Sequence, residues 1–115
     1  DTYGHLEGDA LLIAVADTLR TSVRSYDIVG RIGGDEFVVY LSNVTDRQNA
    51  MAVAEKLCQV IRGLSTMKKE WSNISASIGI SFADHPDIKM EELYISADKA
   101  MYSAKGNGRD QYQTL

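Results

Sequence analysis

At 115 residues, with 44% hydrophobic and 24% charged side chains, the chain suits one globular domain and is too short for two. Twelve basic against sixteen acidic residues leave a net charge of −4; a broad nucleic-acid or anionic-membrane surface would need a basic face, so neither partner is expected. Cys58 is the sole cysteine, which excludes an intrachain disulfide and a cysteine-built zinc site and fits a reducing, cytoplasmic setting, and no signal peptide or membrane-length apolar run is present.

The opening Asp1-Thr2-Tyr3-Gly4-His5 has no initiator Met and reads as the middle of a loop, so a fragment of a longer polypeptide is expected. From Leu6 to about Thr21, Leu11, Leu12, Val15 and Leu19 fall at helical spacing with alanines between them. Ile28–Ile32 and Phe37–Leu41 are short apolar runs around Gly33-Gly34, the pattern of strand, tight turn, strand. Thr45 and Gln48 fit a capping box ahead of a second helix, which carries Ala50, Val53, Ala54, Leu57, Cys58 and Ile61 on one side and ends near Gly63. Ser65–Glu70 is a polar connection. Ile74, Ala76, Ile78, Ile80 and Phe82 alternate with small or polar residues, predicting a half-buried strand over Asn73–Phe82. Met90–Lys105 is helical, stopped by Gly106-Asn107-Gly108, and Gln111-Tyr112 starts a last strand. Helices interleaved with antiparallel strands make this an α+β domain, a sheet flanked by helices.

The bend between the first two strands carries the chemistry. Gly33 and Gly34 let main chain approach a bulky anion and adopt positive φ, and successive exposed N–H groups in such a turn form an anion nest. Asp35 and Glu36 beside it are hard oxygen donors suited to Mg²⁺, which binds a few carboxylates together with substrate phosphates. The plainer reading of a bare Gly-Gly-Asp-Glu is a hairpin with a solvated acidic tip.

The surroundings favour the first reading. Asp1–His5 with Gly8-Asp9, Arg31–Phe37, Ala97–Lys105 and Gly108-Arg109 stand in the order and spacing of the GGDEF domains of bacterial diguanylate cyclases, which the chain resembles along essentially its whole length. That resemblance implies a fold like nucleotide cyclases and polymerase palms, with a ferredoxin-like core. It implies two subunits meeting antiparallel, each holding one GTP, to make cyclic di-GMP and pyrophosphate with Mg²⁺ or Mn²⁺. Asp35 matches the metal-binding carboxylate and Glu36 the second acidic position, a metal ligand or base. Gly33 and Gly34 match the turn against the phosphates, and Asp9 the acceptor for the guanine edge. Lys105 and Arg109 match the pair on the terminal phosphates; taken alone they are cations at a helix C-terminus. Arg24 and Asp27, an Arg-x-x-Asp whose arginine lies nine positions before Gly33, match the site where cyclic di-GMP inhibits its own synthesis; taken alone they are a surface pair worth little.

The resemblance also implies a first central strand and a helix ahead of Asp1, with a further metal-binding Asp and a guanine-binding Asn. The domain is therefore expected to span residues 1–115 without them, and its parent to carry sensor or output domains. A catalytically inactive module that senses GTP or cyclic di-GMP is the other functional reading, and the intact Gly33–Phe37 motif weighs against it. His5 and His85 are expected at the surface, Cys58 in the core, Trp71 at the sheet's edge, and Tyr94 and Tyr102 in the core or at its rim.

Overall fold

The computed structural model describes residues 2–33, 36–42 and 44–114, with the side chains of residues 2–7 outside the description. In chain order the elements are α1 (Thr2–Ser22), β1 (Ile28–Gly33), β2 (Glu36–Tyr40), α2 (Arg47–Leu64), a 3-10 turn (Lys69–Trp71), β3 (Ser77–Ile80), α3 (Met90–Gly106) and β4 (Gln111–Thr114). The α+β class and the sequence of elements agree with expectation. One difference lies at the start, where Thr2–His5 is helical rather than looped. Gly4 lowers helix propensity by about 1 kcal/mol relative to alanine but does not forbid the conformation.

The apolar spacing of α2 explains the core. Ala50, Ala54, Leu57, Cys58, Ile61 and Leu64 recur at steps of three, four or one, so one face of the helix is buried. Leu57, Ile61 and Leu64 meet Leu19 of α1 and Trp71, with Ala10, Leu11, Ala14, Val15, Val29, Phe37 and Ile78 packed around them. Trp71 therefore belongs to the centre of the core and not to a sheet edge, while its indole Nε1 is buried with no acceptor among the described residues. The α2 cap sits one residue later than the capping box predicts. The Asp46 carboxylate accepts from the Asn49 amide at 2.9 Å, and Thr45 Oγ1 instead accepts from the Asn49 side chain at 3.0 Å. A carboxylate at the N-cap also gains from the helix dipole, which a hydroxyl does not.

The strands form two separate pairs. β1 and β2 are antiparallel, with Ile28 opposite Tyr40 and Arg31 opposite Phe37, and the register shifts before Gly33 meets Glu36. β3 and β4 are parallel, with Ser77 opposite Gln111 and Ile80 opposite Thr114. The second pair thus departs from the antiparallel expectation. Its connection is α3, and a helical crossover returns the chain in the same direction. β3 is also shorter than the alternation over Asn73–Phe82 predicts, because β4 offers only four partners.

All four β3 residues are half-buried, without the in–out contrast that alternation predicts. Successive side chains point to opposite faces: Ile78 faces the α2 core, and Gly79 faces α3. A Cβ at position 79 would lie 1.9 Å from the Ala97 carbonyl oxygen and 2.3 Å from the Met101 nitrogen. Only glycine permits α3 to lie this close. Ala100 and Ala104, both 0% exposed, complete the short-side-chain face of α3.

Candidate functional site

The hairpin positions Glu36. It opens β2 opposite Gly33, at the end of the pair nearest the bend. Gly34 and Asp35 lie outside the described residues, so the bend's inner geometry and the expected metal-binding carboxylate are not described. Glu36 is half-buried, and its Oε1 accepts a hydrogen bond of 3.1 Å from the Tyr94 hydroxyl on α3. That bond pushes the Tyr94 phenol above its ordinary pKa, aided by partial burial and the carboxylate's charge. Tyr94, which the sequence reading placed in the core or at its rim, thus contacts one of the expected site residues. Tyr102, at 75% exposure, belongs to neither place.

Lys105 lies on the last turn of α3, exposed, eleven residues after Tyr94. Eleven residues are about three turns and about 16 Å of rise, so the two side chains leave the helix on nearly the same flank. The flank that meets Glu36 at one end therefore carries Lys105 at the other. Arg109 follows in the turn after α3, also exposed, with φ of 63°. Gly108 has φ of 111° and Asp110 φ of 50°, making three consecutive residues in the left-handed half of backbone space. The helix end is closed by the Asn107 amide on the Ser103 carbonyl and the Arg109 amide on the Ala104 carbonyl, each at 2.9 Å. Asp9 is exposed on α1, an element apart from those that carry Glu36, Lys105 and Arg109.

Arg24 and Asp27 are brought together at the turn between α1 and β1. Asp27 Oδ2 accepts from the Arg24 amide and Oδ1 from the Ser42 amide, each at 2.9 Å. The Asp27 side chain thus ties the entry of the hairpin to its exit. The Arg24 guanidinium hydrogen-bonds the Tyr26 hydroxyl, which raises its pKa above the ordinary value. An open depression of about 390 Å³ beside it is lined by Arg20, Arg24, Asp27 and their neighbours. A larger one, about 450 Å³, lies around Tyr40, His85 and Met90, and none of the expected site residues lines it.

The donor chemistry fits a hard divalent cation. Glu36 supplies carboxylate oxygens, the donors that Mg²⁺ takes, and one of them accepts the bond from Tyr94. Among the described residues no three His, Cys, Asp or Glu side chains converge; Asp35, the other expected ligand, lies outside them.

The chain matches the family described as "Diguanylate cyclase, GGDEF domain" over residues 1–111. It belongs to the GGDEF family. The domain is 44% identical over 112 residues to the bifunctional diguanylate cyclase/cyclic di-GMP phosphodiesterase MucR of Pseudomonas aeruginosa, covering 97% of this chain and 16% of MucR. It is 40% identical over 114 residues to diguanylate cyclase A of Treponema denticola, covering 96% of this chain and 30% of that protein. The chain therefore spans less than a third of either relative's length. Its fold superposes on the crystal structure of the GGDEF domain of YfiN (TpbB) from Pseudomonas aeruginosa with a TM-score of 0.80 at 30% identity, over 98% of this chain and 71% of that one. The palm-like cyclase fold expected from the sequence is thus the fold of the GGDEF domain described here. No described helix is long and apolar enough to cross a membrane.

Proposed function

We propose that this GGDEF domain condenses GTP into cyclic di-GMP within its parent protein, two copies meeting so that each presents one GTP to the other. The observation that carries the reading is the α3 flank, where Tyr94 holds Glu36 and Lys105 stands three turns along on the same side. A nucleotide held at the hairpin would have its triphosphate directed along that flank, with the long side chains of Lys105 and Arg109 reaching back toward it.

In this reading Gly33 and Gly34 offer main-chain amides to phosphate oxygens, and Asp35 and Glu36 hold the cation. Mg²⁺ or Mn²⁺, when bound, neutralises phosphate charge and favours ionisation of the attacking hydroxyl. Lys105 contributes a point charge and Arg109 a planar fork to the terminal phosphates, which become the pyrophosphate leaving group. Asp9 accepts from the N1–H and N2–H₂ donors that guanine presents and adenine lacks. Each 3′-hydroxyl gives up its proton to solvent as its oxygen forms a bond to the α-phosphorus of the partner's GTP, the bond from that phosphorus to the β-phosphate bridging oxygen breaks, and two pyrophosphates leave. Arg24 and Asp27 form the product-binding site: Arg20 and Arg24 line a depression of suitable charge for a cyclic dinucleotide, and each Asp27 oxygen retains a lone pair beyond its amide bond.

Incubation of the full-length protein with GTP and Mg²⁺ tests the reading. Cyclic di-GMP is expected, with its formation abolished by Asp35→Ala. No product, with wild type and Asp35→Ala alike, would assign the domain to nucleotide sensing instead. Cyclic di-GMP binding that survives Arg24→Ala unchanged would remove the inhibitory site.

A further inference from the structure

Among the described residues, positive φ is concentrated in the turn after α3. Arg109 and Asp110 are the non-glycine residues with positive φ, at 63° and 50°. A side chain in that region is disfavoured by contact between Cβ and the following carbonyl, and it persists only where surrounding bonds over-determine it. Those bonds are identifiable. The Arg109 amide is held by Ala104 and the Gln111 amide by the Ala76 carbonyl at 3.1 Å. The Gln111 side chain donates to the carbonyls of Asn107 and Arg109 at 2.8 and 3.1 Å.

One restraint comes from elsewhere in the chain. Arg62, in the last turn of α2 and 48 positions earlier, donates from Nε to Asp110 Oδ2 at 2.8 Å. The other oxygen, Oδ1, is buried without a donor among the described residues, so the carboxylate depends on Arg62 for its charge-assisted partner. Asp110 in turn holds the Arg62 guanidinium above its ordinary pKa.

We infer that Arg62 is a positioning residue for the triphosphate: through Asp110 it locks the left-handed turn that presents Arg109. This rests on the assignment of Arg109 to the terminal phosphates given above. Neighbouring backbone torsions are coupled, so releasing Asp110 lets Arg109 relax towards ordinary φ and swings its guanidinium away. Arg62 makes no contact with the nucleotide in this scheme. Its effect passes through one carboxylate and one peptide unit.

Calorimetry on the full-length protein, with a non-hydrolysable GTP analogue and with GMP, tests this. Arg62→Ala is expected to weaken analogue binding roughly three- to tenfold, the scale of one ordinary hydrogen bond, with GMP binding unchanged. Arg62→Lys, which keeps a charge near Asp110, should recover most of the loss. In an Arg109→Ala background Arg62→Ala should add nothing, because the residue it positions is gone. Full analogue affinity in Arg62→Ala, an equal loss for GMP, or the same loss in both backgrounds would overturn the inference. Arg109→Ala that binds the analogue as wild type does would instead remove the phosphate assignment itself, and the inference with it.

Discussion

The two strand pairs of this domain are held in opposite ways. β3 and β4 are enclosed: Ile78 joins the α2 core, Gly79 lies against the α3 backbone, and Cys58 sits 0% exposed with its thiol 4.0 Å from the Ala76 carbonyl at the head of β3. β1 and β2 pack one face inward through Val29 and Phe37. Their other face leaves Ile28, Ile32, Val38 and Tyr40 between 39% and 63% exposed. What closes the hairpin at its root is a single carboxylate, Asp27, bound to amides on both sides. The enclosed pair is fixed by steric fit and the hairpin by local hydrogen bonds. In the proposed site the terminal phosphates meet the rigid side, and the metal meets the side that has room to adjust.

The contrast breaks most readily at Gly79. Gly79→Ala puts a methyl group into the α3 backbone, and a loss of at least ~3 kcal/mol is expected, on the scale of severe overpacking. Urea denaturation measures it, and a wild-type midpoint would mean that α3 moves freely off β3. Asp27→Ala comes next, at about 2 kcal/mol, since it strips two amides of a charged acceptor in a partly exposed turn. Hydrogen exchange should then quicken in β1 and β2 while β3 keeps its protection; uniform quickening would erase the distinction between the pairs.

Cys58 sharpens the comparison through pH. Burial, with the Glu55 charge next, pushes its thiol up to about 11 from 9.0. The folded state thus favours the protonated form, a contribution fully present below pH 9 and lost as pH rises towards 11. Stability should fall there by at most about 1.4 kcal/mol per pH unit from this group, and Cys58→Ala should flatten that part of the profile. Equal alkaline slopes in both proteins would place the thiol outside the sealed region. The smallest effect is expected for Arg24→Ala. Its partner Tyr26 is exposed, so no measurable change in stability is expected, and thermal unfolding that shifts by several degrees would show the arginine to be part of the hairpin root.

Much of this was legible in the chain. The spacing of Ala50, Ala54, Leu57, Cys58 and Ile61 specifies a one-sided helix, and two apolar runs around Gly33-Gly34 specify a hairpin, because side-chain period is a local property. The candidate site was legible as motifs; the structure adds that Glu36 meets Tyr94 and that Arg24 meets Asp27. Three features were not legible. The Thr45 capping box loses to Asp46 because an ionised acceptor suits a helix N-terminus better. Trp71 reads as an edge residue until α1 and α2 close over it. Tyr94 and Arg62 carry no motif, and each acts on a residue many positions distant.

Sequence by itself determined the α+β class, the order of elements and the family, since periodicity, turn formers and motif spacing are all written within short windows. Tertiary structure decided that β3 and β4 run parallel, that glycine is obligatory at 79, that Asp27 serves main chain, and that Tyr94 meets Glu36 and Arg62 meets Asp110. Those outcomes depend on which surfaces pack together. Contacts across 48 or 58 positions arise only when the whole core has formed.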